Sequence, residues 1–329
     1  LGVLIKTREG RPIKIESNPK HGFNMGGLSA RAQASLLSLY DPERLQGPKH
    51  NLFNDKKTNK ESVGAKWADI DKKIVEQLNK GEVYILTGNL ASPSTKSIIK
   101  EFSQGFGAKH VVYEALSQNE IIEGQKACYG EASVPQYRFD KAKMIVSIDA
   151  DFLGSWMTPT AFTRQFALGR KDIQNMSRLV VFDSSYSLTG ANADIRVRIK
   201  PSLQLVAAMG LLHELIVKKG VSSYASNESL KSKLSSYANA ASDLGIEPGL
   251  LSAIADDLWK NKEKAIVVAG GLAAQTENAL ALQVAVNLLN SILESDGNTV
   301  VGGASTCLAA SDEGILSLVK DLNAGRVGT

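Results

Sequence analysis

The stretch Ser177–Pro201, SRLVVFDSSYSLTGANADIRVRIKP, decides the fold. Leu179-Val180-Val181-Phe182 is a β-branched and aromatic run with the length of one buried strand. It ends on Asp183, followed by the small polar pair Ser184-Ser185. In an open parallel sheet, ligands bind at the carboxyl ends of strands, where an acidic residue accepts from a ribose hydroxyl or a base N–H. An aspartate at a strand end also serves to cap a turn, and the stretch alone leaves both roles open. Thr189 to Asp194 is a small-residue helix or turn. Ile195-Arg196-Val197-Arg198-Ile199 alternates apolar and basic residues, the pattern of a half-exposed strand. Pro201-Ser202 then opens an apolar helix through Ile216. The unit is strand, acidic tip, short crossover, strand, helix.

The chain has 329 residues, 43% of them hydrophobic and 22% charged, with a net charge of +4. That length accommodates two domains or one large α/β unit. Basic residues are dispersed, so no nucleic-acid footprint is present. No apolar run reaches the length of a membrane span. The 2 cysteines, Cys128 and Cys307, lie far apart without a CxxC, which excludes a self-contained four-cysteine cluster or zinc site. They read as buried thiols, with a disulfide left open. The chain starts inside an apparent strand and stops at Arg326-Val327-Gly328-Thr329, where an α/β chain would begin its next strand, so it reads as part of a longer polypeptide.

Outward from the opening stretch, Gly2 to Glu16 is a hairpin, with Gly10 free to take a positive-φ turn position. Ser29 is placed to cap the helix that follows it. His50 to Glu61 is polar and reads as a surface linker. Trp67 to Leu78 is an amphipathic helix with Trp67, Ile70 and Ile74 on one face, read as core. Val83 to Leu86 is a strand leading through Gly88 into a helix over 97–106, a loop whose N–H groups suit a phosphate. It is neither a GxGxxG nor a P-loop, and a bare α/β turn is the favoured reading. Met144 to Ile148 is a strand followed by Asp149 and Asp151, either a metal or acid–base pair or, as we read them, structural caps. His213 sits alone on a helix with no paired carboxylate or serine, and reads as structural. Ala265 to Ala269 runs into Gly270-Gly271, and a helix follows over 279–293. Four apolar runs alternating with helices make the βαβ pattern of parallel, doubly wound sheets.

Within the opening stretch, Val181-Phe182-Asp183, Gly190-Ala191, Ala193-Asp194 and Lys200-Pro201 resemble the molybdopterin oxidoreductase (DMSO-reductase-like) family, with Ser184-Ser185 where that family has Pro-Arg. Gly26-Gly27-Leu28-Ser29 is similar to the family's Gly-x-Leu-Cys, and Ser29 stands at the position of the cysteine that completes a [4Fe–4S] cluster. Tyr40-Asp41-Pro42-Glu43-Arg44-Leu45 continues the likeness. The segments Val3–Glu16, Ala30–Ser35 and Asp151-Phe152-Leu153-Gly154-Ser155-Trp156 look most like one branch, the molybdopterin-like half of the large iron–sulfur subunit of alternative complex III, a quinol:cytochrome c oxidoreductase.

The resemblance implies two Rossmann-like doubly wound parallel-sheet domains plus an N-terminal β-hairpin segment. Residues 1–48 would be the remnant of a cluster-type domain. Residues 49–112 and 262–329 would form the first α/β domain, and 113–261 an inserted second one. It implies a non-catalytic scaffold with no cofactor in this fragment. The implied partners are an iron–sulfur, ferredoxin-like half of the same polypeptide, cytochrome c and integral membrane quinol-oxidising subunits, on the periplasmic side of the bacterial inner membrane. The alternative is a catalytic oxidoreductase holding molybdopterin guanine dinucleotide with Mo or W. Ser117 lies in the segment that supplies the metal ligand in active members and is the candidate for that role. Gly88, Asp183, Gly270, Gln275 and Asn278 are the candidate dinucleotide contacts.

Overall fold

The computed structural model describes residues 2–53, 60–303 and 312–329. In chain order its strands begin with β1 (Val3–Arg8), β2 (Arg11–Ser17), β3 (Lys49–Phe53), β4 (Lys60–Gly64), β5 (Tyr84–Thr87) and β6 (Lys109–Val112). They continue with β7 (Gln136–Tyr137), β8 (Met144–Ile148), β9 (Arg178–Asp183), β10 (Ile195–Arg198), β11 (Ala265–Ala269) and β12 (Val300–Val301). The first helices are α1 (Ala30–Ala34), α2 (Trp67–Leu78), α3 (Pro93–Phe106), α4 (Asn119–Tyr129), α5 (Pro159–Gly169) and α6 (Leu188–Ala191). The rest are α7 (Gln204–His213), α8 (Glu228–Leu234), α9 (Ala240–Asp243), α10 (Pro248–Lys260), α11 (Ala279–Ile292) and α12 (Asp312–Asn323). Two compact units result, one of Leu1–Leu4, Glu16–Ser29 and Ala115–Ala309, the other of Ile5–Ile15, Ala30–Glu114 and Ala310–Thr329.

The larger unit is built on an all-parallel sheet of order β10-β9-β8-β11. Successive side chains of a strand point to opposite faces, and here both faces are covered. Met144, Val146 and Ile148 of β8, Val180 and Phe182 of β9, and Val267 of β11 pack in one core with Leu211 of α7, Leu258 of α10 and Leu289 of α11. Ile145, Leu179, Val181, Ile266 and Val268 enter a second core with Ile121 of α4, Phe162 of α5 and Trp156. Burial on both faces is why these strands read as unbroken apolar runs in the sequence. β10 lies at the edge, which agrees with its alternating Ile195-Arg196-Val197-Arg198. After a 3-10 turn over Pro201–Leu203, α7 ends in a π-turn over Glu214–Lys218, so the expected single helix is broken into three geometries.

In the smaller unit β5 and β6 are parallel, and residues 326–329 run beside β5, with Glu82 N–H donating to Arg326 O at 3.1 Å and Tyr84 N–H to Thr329 O at 2.9 Å. Lys109 Nζ meets Glu82 at 2.5 Å, and the Tyr84 hydroxyl and Arg326 both bond Asp321. β1 and β2 form a hairpin that turns through Glu9 and Gly10, at φ 50 and 76.

Five expectations are corrected. The expected division at residue 262 moves, because β11 hydrogen-bonds to β8 and its AIVVA run needs apolar cover on both faces. Residues 265–303 therefore stay with the larger unit, and residues 1–48 divide between the two units instead of forming a remnant domain. Lys49–Phe53 pairs antiparallel with Lys60–Gly64 where a linker is expected. Trp67 is 67% exposed instead of core: an amphipathic stripe shows which face is apolar, not what covers it, and α2 buries only Leu78. Cys128 is exposed on the last turn of α4, not a buried thiol, while Cys307 lies outside the described residues.

Candidate functional site

The carboxyl ends of β8, β9 and β11 are where a ligand would bind an open parallel sheet. Three aspartates stand there, and each is turned inward. Asp149 takes a left-handed backbone, φ 52, which Asp adopts more readily than most residues. Its Oδ1 accepts from the Ser184 N–H at 2.9 Å and the Ser184 hydroxyl at 3.1 Å, and its Oδ2 from the side-chain amide of Gln204, a buried residue of α7. Burial pushes the Asp149 carboxyl above its ordinary range, against the pull of those donors. Asp151 Oδ1 accepts from the Thr189 N–H at 3.0 Å and hydroxyl at 2.7 Å, and the same hydroxyl accepts from Leu153 N–H at 3.0 Å. Asp183 is 1% exposed. Its Oδ1 lies 2.7 Å from an Arg196 Nη, and its Oδ2 accepts from the Ser187 hydroxyl at 3.1 Å. Arg196 in turn stacks over the Tyr186 ring at 4.9 Å. Gly190 is required here, since a Cβ would come 2.3 Å from Asp183 Oδ2.

The β11 end follows the same pattern. A Cβ on Gly270 would come 2.4 Å from Trp156 Nε1, and one on Gly271 would come 2.7 Å from the Asp149 carbonyl oxygen. The glycine pair thus admits the buried indole and the β8 loop at close range. Gln275 Nε2 donates to the Ser117 carbonyl at 3.4 Å and its amide also bonds Glu120, so two sequence candidates, Ser117 and Gln275, come together. The Ser117 hydroxyl accepts from Asn119 N–H at 3.4 Å and leads into α4. Asn278 begins α11: its carbonyl accepts from Leu282 N–H at 2.9 Å, and its N–H donates to Thr276 Oγ1 at 3.3 Å. His213 is buried, and burial lowers its pKa.

In the smaller unit, Gly88 follows β5. A Cβ there would lie 2.9 Å from Glu114 Oε1, and the same oxygen accepts from the Asn89 N–H at 2.5 Å. Ser92 caps α3 by accepting from Thr95 N–H at 3.3 Å. Ser29, in the larger unit, lines an open cleft of about 460 Å³ with Gly27, Leu28, Gly154, Thr160 and Arg164.

Glu120 carries a testable consequence. It is 8% exposed, and its Oε1 has no hydrogen-bond partner among the described residues. Burial raises its pKa, while its own backbone N–H and the Gln275 amide pull the other way. A carboxyl raised in the folded state binds protons more tightly there than in the unfolded chain, so stability falls as pH rises from the unfolded value, about 4.3, through the folded one. Glu120→Gln removes that loss. We expect its urea midpoint to exceed the wild type's at pH 7.5, with the gain disappearing below about pH 4. A gain of equal size at both pH values would exclude titration of Glu120 as its cause.

Over 308 residues the chain is 24% identical to the menaquinone reductase molybdopterin-binding-like subunit of Nitratidesulfovibrio vulgaris, covering 90% of this chain and 43% of that one. It is 22% identical over 223 residues to the arsenate respiratory reductase molybdopterin-containing subunit of Shewanella sp. strain ANA-3, covering 65% and 26%. It is 26% identical over 197 residues to a nitrate reductase of Shewanella frigidimarina, covering 59% and 20%. The chain is thus similar in sequence to subunits of molybdopterin oxidoreductases. No family profile matches it. The fold agrees with that of acetylene hydratase from Pelobacter acetylenicus, with a TM-score of 0.70 at 15% identity over 92% of this chain and 43% of that one. The chain thus spans less than half the length of these proteins.

A molybdopterin oxidoreductase that holds a guanine dinucleotide needs open acceptors for ribose or base N–H groups and open donors for phosphates. In this chain Arg196 and Ser187 engage both oxygens of Asp183, and Glu114 engages the Asn89 N–H. Trp156 fills the space beside Gly270. These residues, as placed, do not fit the dinucleotide. Nor do the described residues gather three or more His, Cys, Asp or Glu side chains able to hold a metal ion. Sequence reasoning found the three aspartates but missed Arg196, Gln204, Thr189 and Glu114, the groups that occupy them or the loop beside them. None of them left a signal in the sequence: Glu114 meets Asn89 only through the β5–β6 register, in which Thr87 pairs with Val112 and Glu114 lies level with Asn89, two residues beyond the last pair.

Proposed function

We propose that the chain is a non-catalytic scaffold within a membrane-associated respiratory quinol:cytochrome c oxidoreductase of the alternative complex III type. It is a molybdopterin oxidoreductase fold that has lost its iron–sulfur cluster and its molybdenum pterin. The observation that carries this reading is the inward closure of Asp149, Asp151 and Asp183, which ties the strand-end loops to one another and to Arg196 and Gln204. An active site needs titratable groups converging on open space, and these carboxylates converge on protein. Ser29 at the place of the family's cluster cysteine supports the same view, since such clusters are held by thiolates. So does the relative described as a molybdopterin-binding-like subunit of menaquinone reductase, which assembles in a quinone-linked enzyme.

In this reading the partners are a ferredoxin-like, cluster-bearing half of the same polypeptide, cytochrome c and integral membrane subunits that oxidise quinol, and the chain sits on the periplasmic face. Among the described residues no helix is long and apolar enough to cross a membrane, which suits attachment through partners. A second reading is favoured by the meeting of Ser117 and Gln275: a catalytic enzyme in which Ser117 ligates Mo or W and Gln275 steadies the segment that carries it.

Elemental and pterin analysis of the full-length protein, purified from its native membranes, separates the two. We expect iron without molybdenum, tungsten or oxidised-pterin fluorescence. Stoichiometric metal with pterin would establish the catalytic reading and make Ser117 the first residue to replace.

A further inference from the structure

The misfit between this chain and the family's dinucleotide has a specific form at Gly88. We infer that Glu114 is a built-in anion that occupies the β5–α3 loop and keeps phosphate out of it. A loop at the carboxyl end of a parallel strand, leading into a helix, offers backbone N–H groups to an anion. The N–H at issue is that of Asn89, ahead of the helix cap, and Glu114 Oε1 already accepts from it at 2.5 Å. The same oxygen sits where a Cβ on Gly88 would come within 2.9 Å, so the glycine admits the carboxylate. Two N–H groups of the first turn of α3 are also taken within the chain, the Thr95 N–H by the Ser92 hydroxyl and the Lys96 N–H by the Ser92 carbonyl.

Glu114 reaches this place through the register of the sheet. β5 and β6 run parallel, with Thr87 opposite Val112, so the chain leaving β6 brings Glu114 level with Asn89. The carboxylate therefore belongs to the strand pair itself. It excludes a second anion in two ways: it uses the donor, and its charge repels phosphate at close range. The closure rests on the pterin-free reading for its biological sense, but its test is separate from metal and pterin content.

The test is equilibrium dialysis of radiolabelled inorganic phosphate against the full-length protein as wild type, Glu114→Gln and Glu114→Ala. Circular dichroism checks that each variant is folded. Glutamine keeps the shape and an acceptor while removing the charge, and alanine removes both. Saturable binding should be absent from the wild type, weak in Glu114→Gln and at least about tenfold tighter in Glu114→Ala than in Glu114→Gln. Saturable binding by the wild type that Glu114→Ala leaves unchanged would overturn the inference, as would no binding by a folded Glu114→Ala. The wild-type and glutamine arms decide the matter if the alanine variant does not fold. Pterin found in the full-length protein would defeat the scaffold reading without altering the order of phosphate binding.

Discussion

Replacing Arg196 by methionine is expected to cost about 3–5 kcal/mol of folding stability. The size follows from what the change leaves behind. The Asp183 side chain is 2% exposed, and its counter-charge is the guanidinium 2.7 Å from Oδ1. Methionine keeps much of the volume and the contact with Tyr186, but strands a carboxylate whose remaining partner is the Ser187 hydroxyl at 3.1 Å. An uncompensated charge at this depth is far more expensive than the loss of an exposed ion pair, which is worth about 0.2–1 kcal/mol. The double replacement Asp183→Asn with Arg196→Met should regain most of the loss, because it removes the charge together with its partner. Urea denaturation read from tryptophan emission measures this, since Trp156 and Trp259 both lie in the unit that holds the pair. A cost below about 1 kcal/mol for the single change would mean that the pair behaves as a surface contact, and the inward closure of the β9 loop would lose its main support.

The sheet was legible because strands buried on both faces leave continuous apolar runs. Met144–Ile148, Leu179–Phe182 and Ala265–Ala269 all stand where those runs predict. The sheet that 265–269 joins was not legible, since an AIVVA segment carries no mark of its neighbour and β8 is far away in sequence. The same limit explains Trp67, where periodicity identified a helix and its apolar face but could not say that the face stays exposed. Lys49–Phe53 and Lys60–Gly64 are polar enough to read as a linker, and it is their pairing with each other that makes them strands.

At the candidate site, the residues at strand tips were legible and their partners were not. Asp183 followed directly from the end of an apolar run. Arg196 and Arg198 alternate alike on β10, and the backbone register sets Arg198, not Arg196, opposite Asp183. It is nevertheless Arg196 that reaches the carboxylate, because Gly190 leaves room for the approach between the strands' ends. A long side chain's reach depends on the loop beside it, and no spacing rule encodes that. Gly88 and Gly270 were both candidate ligand contacts, Gly88 on a loop that reads more readily as a bare turn. The structure fills one with Glu114 and the other with Trp156, two residues remote in sequence from the glycines they meet.

Phe152→Ala should lower stability by about 3–5 kcal/mol and release the loop that closes the carboxyl end of the sheet. Phe152 is fully buried, its ring stacked on Phe139 at 4.2 Å and set edge-on to Phe166 at 5.7 Å. Three residues on either side of it, the chain is fastened by Asp149 to Ser184 and, through Ser155, by Asp151. The ring is the apolar anchor between those polar ties. Phe139 also meets Phe162 at 5.0 Å, and Trp156 meets Tyr137 at 5.2 Å, so the aromatic residues of the Asp151–Trp156 segment point into the core and not toward a ligand. Truncation to alanine leaves a cavity among rings that cannot all move in to fill it, whereas Phe152→Leu retains much of the volume and should lose less than half as much. Hydrogen exchange adds what denaturation cannot. If Phe152 holds the loop shut, amides over 149–156 should exchange faster in Phe152→Ala under native conditions, ahead of those in β8 and β9. Uniformly faster exchange across the whole unit would mean that the ring supports the core in general and that the polar ties alone keep the edge closed.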